Sequence, residues 1–219
     1  MDWFSQIDIY CERTDFSYWS EPLNALTNFF YLAGAIWAWW RNPEPEVRIN
    51  RVLAVLLGLI AIGSYLFHTH ATVWASTADV VPIALFILVY LFAVNRDVIG
   101  MRWWLALGAT LLFIPYAALL IPVLDRVPFL AISNFYWTVP LLIAAYAPFV
   151  ARRHPATARG MLIGAAILSV SITLRSLDLI LCDVFPVGTH IFWHTFNAIM
   201  LPWMIEVYRR HRLREAKER

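Results

Sequence analysis

Charge is what this sequence has least of. Only 15% of its 219 residues are Asp, Glu, Lys or Arg, where a soluble domain carries about a quarter. The formal net charge is only +2, and no basic stripe interleaved with aromatics runs along the chain, so nucleic acid is excluded as a partner. No internal repeat and no low-complexity segment occurs. A cleavable signal peptide is missing as well. Residues 1–21 are acidic and amphipathic, without a positive start and a short apolar core, and the first apolar stretch reads as an anchor that stays in place.

Apolar surface is abundant instead. Hydrophobic residues make up 61% of the chain and the mean hydropathy is +0.63. One soluble core of this size could not bury so much, so the bilayer must solvate part of it. Apolar runs near the ~20 residues needed to cross a membrane recur along the chain. They are Pro22–Trp40, Val52–His70, Val80–Val94, Trp103–Leu120, Phe129–Val150, Met161–Leu181 and Thr189–Tyr208. The third is short and the fourth contains Pro115. Tryptophans such as Trp37, Trp40, Trp74 and Trp103 cluster near the expected ends, as an interfacial belt does.

Loop charges orient this bundle. Arg41, Arg48 and Arg51 follow the first run, Arg96 and Arg102 the third, and Arg152, Arg153 and Arg159 the fifth. The end adds Arg209, Arg210, Arg212, Arg214, Lys217 and Arg219, while the opposite side holds only Arg13 and Arg126. The positive-inside rule then puts the N-terminus outside and the C-terminus in the cytoplasm, which favours seven spans over six or eight. The expected fold is an all-α polytopic membrane protein of seven transmembrane helices. Its parts are an extracytoplasmic arm (1–21), a helical catalytic domain (22–208) and a basic cytoplasmic tail (209–219).

Ionisable groups inside a membrane span are costly and usually functional. Here they are His68, Asp79, Arg175, Asp178, His190 and His194, and the topology brings most of them to the outer ends of the bundle. His190 and His194 are four residues apart, on one helix face, and Ser64 and His68 repeat that spacing. Three neutral imidazoles and a water form a common catalytic zinc shell, and Asp79 could take the water's proton. The bland reading of His-x-x-x-His is an interfacial pair. His70 points to another face, and His154 and His211 read as solvated. Arg175 and Asp178, three apart, could pair within the membrane, or Asp178 could orient a ligand histidine.

The ordered motifs resemble the alkaline ceramidases. They are Gly-Ser-x-x-x-His at Gly63 to His68, Asp79, Asp-x-x-x-Cys at Asp178 to Cys182, and His-x-x-x-His at His190 to His194. Cys11–Glu12 and Glu21-x-x-Asn24-x-x-x-Asn28 favour that branch of a seven-span hydrolase superfamily that includes the adiponectin and progestin receptors. The resemblance implies that His68, His190 and His194 hold zinc, that Asp79 orients or deprotonates the attacking water, and that Ser64 supports the oxyanion. It also implies calcium near the zinc, with Glu12, Glu21 and the Tyr10 carbonyl at matching positions. Ile9 and Thr14 depart from the family's Asp and Asn, and Asp8 or Asp15 could substitute. The competing reading of this arm is an acidic segment without calcium.

Cys11 and Cys182 are the only cysteines, both on the expected outer side, and the resemblance pairs them in a disulfide; two free buried thiols is the alternative. The expected activity is zinc-dependent hydrolysis of the N-acyl bond of ceramide or a similar lipid drawn from the membrane. Two rivals stay open: a ligand-sensing receptor with structural zinc, and a bis-His haem protein. The Arg- and Ala-rich style points to a bacterial inner membrane, with the zinc site on its periplasmic side.

Overall fold

The structure, a computed structural model, describes residues 2–218; Met1 and Arg219, the ends of the expected arm and tail, lie outside the described residues. The helices are α1 (Pro22–Arg41), α2 (Arg48–His70), α3 (Val73–Ala93), α4 (Trp103–Leu111), α5 (Phe113–Leu124), α6 (Pro128–Ala131), α7 (Asn134–Ala151), α8 (Pro155–Leu177) and α9 (His190–Glu218). Pro22, Pro128 and Pro155 open α1, α6 and α8, where a missing N–H leaves no bond unmade.

Five stretches are long and apolar enough to cross a membrane: α2, α3 with its final turn to Val98, α4 with α5, α7 and α8. Large apolar side chains such as Leu59, Ile62, Leu85, Leu119 and Phe149 lie exposed on these helices, as lipid-facing residues do. The chain is thus a multi-pass membrane protein. Helices α1 and α9 are long, at 20 and 29 residues, but fall outside that apolar set. Both bury polar groups inside the bundle: Asn24 and Asn28 on α1, His190, His194 and Asn197 on α9.

Several expected boundaries move, each for a physical reason. Helix α3 starts at Val73 rather than Val80, because Ser76, Thr77 and Asp79 interrupt the apolar run but not the helix; the Thr77 hydroxyl bonds the Val73 carbonyl. The expected fourth span is the pair α4 and α5, with Pro115 in the first turn of α5, where it disturbs little. Helix α8 starts at Pro155 and stops at Leu177, short of Leu181. Helix α9 runs on through residues 209–218 of the expected tail, so these residues extend a helix.

The bundle closes on itself. Going round, α1 packs on α2, α2 on α3, α3 on α4, α5 on α7, α7 on α8, α8 on α9 and α9 back on α1, while α2 also touches α9. Helices α2 and α3 approach closely at Gly63 of α2, where a Cβ would collide with the Ala78 carbonyl of α3, so only glycine fits. That contact sets Ser64 beside Asp79. Helix α2 ends at Ala71, whose left-handed φ of 46° turns the chain sharply into α3.

The arm lies across this turn. Ile7 N–H donates to the Ala71 carbonyl, and the Val73 and Trp74 amides donate to Ser5 and Trp3. Farther on, Cys11 forms a disulfide with Cys182, with Cα atoms 5.5 Å apart, tying the arm to the connection between α8 and α9.

Candidate metal centre

His68 near the end of α2 and His190 and His194 in the first turns of α9 come together. Each is 1% exposed, and each offers a donor atom within 4.8 Å of the others'. Contact between α2 and α9 thus brings residues 126 positions apart into one cluster.

Their protons can be placed. The Nδ1 of His68 meets the Glu21 carboxylate, which only accepts, so Nδ1 carries the hydrogen and Nε2 a lone pair. Burial pushes the Glu21 carboxyl up, but His68 and Arg13 outweigh it and hold the group ionised, below its usual range. The Nδ1 of His194 lies 2.7 Å from the Thr27 hydroxyl, which donates its own hydrogen to the Asn24 carbonyl at 2.9 Å. The hydroxyl oxygen therefore accepts from His194, whose Nε2 is also left with a lone pair. These two Nε2 atoms face each other at 3.2 Å. Two acceptors at that distance repel unless a cation lies between them. Two nitrogens bound tetrahedrally to zinc at 2.0–2.1 Å would stand ~3.3 Å apart. The third ring, His190, is buried with Nδ1 unpartnered. The donor set fits zinc.

The same separation leaves no room for a porphyrin plane between His68 and His194, which removes the bis-His haem reading.

The surroundings are rigid and were only partly foreseen. Arg13, buried, donates to Glu21 and to the His68 carbonyl, joining arm, α1 and α2. The Tyr10 ring stacks on His190 with centroids 3.8 Å apart, covering the cluster. Both oxygens of Asp178 accept backbone hydrogens, from Cys11 at 2.9 Å and from His190 at 2.8 Å. Asp178 thus anchors the start of α9 to the arm and does not pair with Arg175. Gly188, at φ 73°, is required beside it, since a side chain would strike Asp178 and Cys11. Arg175 turns to the Ser133 hydroxyl at 2.8 Å and the Ile132 carbonyl at 3.2 Å, with Tyr10, Tyr136 and Trp193 rings around its guanidinium. His211, read from sequence as solvated, is only 2% exposed.

Ser64, next to the Gly63 contact, lies beside Asp79, whose carboxyl is within electrostatic reach of His68 and Arg175. The expected calcium residues separate. Glu12 accepts from the Leu23 and Asn24 amides at the start of α1, and Glu21 accepts from the Asn24 side chain at 3.2 Å. Burial pushes the Glu12 carboxyl up, the neighbouring Glu21 adding to it. The Asn24 side-chain oxygen beside them is buried without a partner. Two carboxylates and an amide oxygen suit calcium by chemistry. Asp8 is exposed, and the Tyr10 carbonyl accepts from the Arg13 amide.

An apolar cleft opens between α3, α7, α8 and α9. Tyr31 and Trp193, which line it, also touch the cluster: Tyr31 meets His194 edge-on at 5.7 Å and Trp193 stacks against His190 at 6.4 Å. The cleft and the histidines share a wall.

Fold and site together define a multi-pass helical membrane protein with a buried three-histidine centre beside an apolar cleft. A family model described as Ceramidase matches residues 4–219, and the chain belongs to that family, as its motifs led us to expect. Membership implies a membrane hydrolase acting on ceramide. No curated protein matches the chain.

Proposed function

We propose that this protein is a zinc-dependent intramembrane amidase that cleaves the N-acyl bond of ceramide or a similar N-acyl lipid into a fatty acid and an amine. His68, His190 and His194 would hold the ion, Glu21 and Thr27 orienting two of the three rings. The observation that carries this reading is the pair of Nε2 atoms facing each other at 3.2 Å in a buried three-histidine cluster, with Thr27 and Glu21 set against the opposite ring nitrogens. Zinc bound there would supply Lewis-acid polarisation of the amide carbonyl and make the attacking water more acidic.

The chain's own groups do the rest. The Asp79 carboxylate accepts the water's proton as the water attacks and returns it to the departing amine. Ser64 holds Asp79 in place. Once Asp79 is protonated, the Ser64 hydroxyl is released to donate to the tetrahedral oxyanion. The apolar cleft takes the acyl chain and keeps bulk water from the carbonyl. Glu12, Glu21 and Asn24 would hold calcium, bracing the arm over the centre. Helices α1 and α9 complete seven crossings, with the N-terminus outside; the basic residues gathered at the other end support this orientation.

Purified protein should hydrolyse N-acyl lipids, lose the activity to a zinc chelator and regain it with added zinc. His194→Ala should lose both metal and turnover. Full hydrolysis by His194→Ala would overturn the assignment.

A further inference from the structure

A second group of metal-ligating side chains lies at the opposite, basic end of the bundle, on residues the proposed chemistry does not use. His154 precedes the first turn of α8, and His211 and Glu215 lie four residues apart on one face of α9. Their donor atoms all fall within 4.8 Å of one another. The His154 and His211 rings meet edge to face, with centroids 4.6 Å apart, and the Glu215 carboxylate lies 3.8 Å from His154 Nδ1.

The proton on His211 can again be placed. Its Nε2 lies 3.2 Å from the Asp97 backbone carbonyl, which only accepts, so Nε2 carries the hydrogen in the neutral ring. The Nδ1 lone pair faces α8, where it accepts from the Thr157 hydroxyl at 3.2 Å, a bond that a metal ion would replace. A ring anchored by one N–H to a backbone carbonyl, with its other nitrogen turned to a histidine and a carboxylate, is the usual condition of a metal ligand. His211 is only 2% exposed, so the anchor is fixed by packing and not by a surface rotamer.

We propose that His154, His211 and Glu215 form a second, non-catalytic site for a zinc-like divalent ion. Two imidazoles and one carboxylate suit zinc and its neighbours, with water completing the shell. Arg210, Arg212, Arg214 and Lys217 make this end of α9 basic, so the ion is held by coordination against the local charge. The site is therefore weaker than the buried centre. Its role is a clip: a filled site joins the start of α8 to the extension of α9, while the His211 anchor reaches the turn that ends α3.

Zinc titration of the purified, metal-stripped protein tests this, with metal content and thermal unfolding as readouts. Wild type should take a tight equivalent and then a weaker one, the second raising the unfolding temperature. His154→Asn and Glu215→Gln should each lose only the weaker equivalent and its thermal shift, with lipid hydrolysis within twofold of wild type. His194→Ala should keep the weaker equivalent, and His154→Asn combined with His194→Ala should bind none. Loss of the tight equivalent alone counts against the catalytic centre and not against the clip. A wild type whose single equivalent survives His154→Asn, or a His154→Asn variant that still takes two, would overturn the clip.

Discussion

Replacing Thr27 by Val tests the least obvious part of the centre. Valine keeps the shape of threonine but cannot accept a hydrogen bond. The metal-bound form needs the His194 proton on Nδ1, since Nε2 is the nitrogen turned to His68. Without Thr27 that N–H loses its 2.7 Å acceptor in a site where His194 is 1% exposed. An unpaired buried donor costs about 1–3 kcal/mol. The Asn24 carbonyl also faces His194 and remains, which keeps the loss in the lower part of that range. The metal-free protein escapes the penalty by moving the proton to Nε2, so the loss falls on binding. About 1–2 kcal/mol corresponds to a zinc dissociation constant raised roughly 5- to 30-fold. Competition with a chromogenic chelator in detergent measures it, and Thr27→Ser should stay near wild type. A Thr27→Val protein that binds zinc within twofold of wild type would refute the proton assignment and the argument built on it.

Three further outcomes follow from the geometry. Asp79→Asn should keep its zinc while kcat falls about 10²–10⁴-fold, the usual worth of a positioned proton acceptor; a variant that loses zinc instead would make Asp79 a ligand. Gly63→Ala forces a methyl group onto the Ala78 carbonyl, which no rotamer relieves. Helices α2 and α3 must part, and a shift of about 1 Å between Ser64 and Asp79 should lower kcat on the order of 100-fold, while normal turnover would mean the contact is not needed. Leu201→Trp, filling the apolar cleft, should lower the ratio of long-chain to short-chain kcat/KM by about tenfold or more. An unchanged ratio would separate the cleft from the acyl chain.

The sequence revealed the histidines because they are polar groups where lipid-facing residues belong, and His190 and His194 carry helix spacing in plain view. Helix order and loop charge then sufficed to bring His68 to the same depth. The parts that stayed hidden act through tertiary contacts with no local signature. Nothing in the spacing of Arg13, Glu21 and Thr27 says that the first two brace one ligand and the third another. Asp178 looked like an intramembrane charge seeking a partner, yet it serves two backbone amides supplied by chain segments far apart in sequence. Helix ends were misjudged where a polar residue interrupts an apolar run without breaking the helix, as at Asp79 and at Arg159 of α8. His211 was misread for a related reason: a basic neighbourhood suggests solvent, but the helix continues and turns that one ring inward.

Zinc-edge X-ray absorption on protein carrying His154→Asn, so that only the buried centre loads, measures the central claim most directly. The account requires three imidazole nitrogens at about 2.0–2.1 Å with one lighter oxygen-type ligand. A protein that retains no zinc under these conditions, or whose zinc is bound by fewer than three imidazoles, would contradict it.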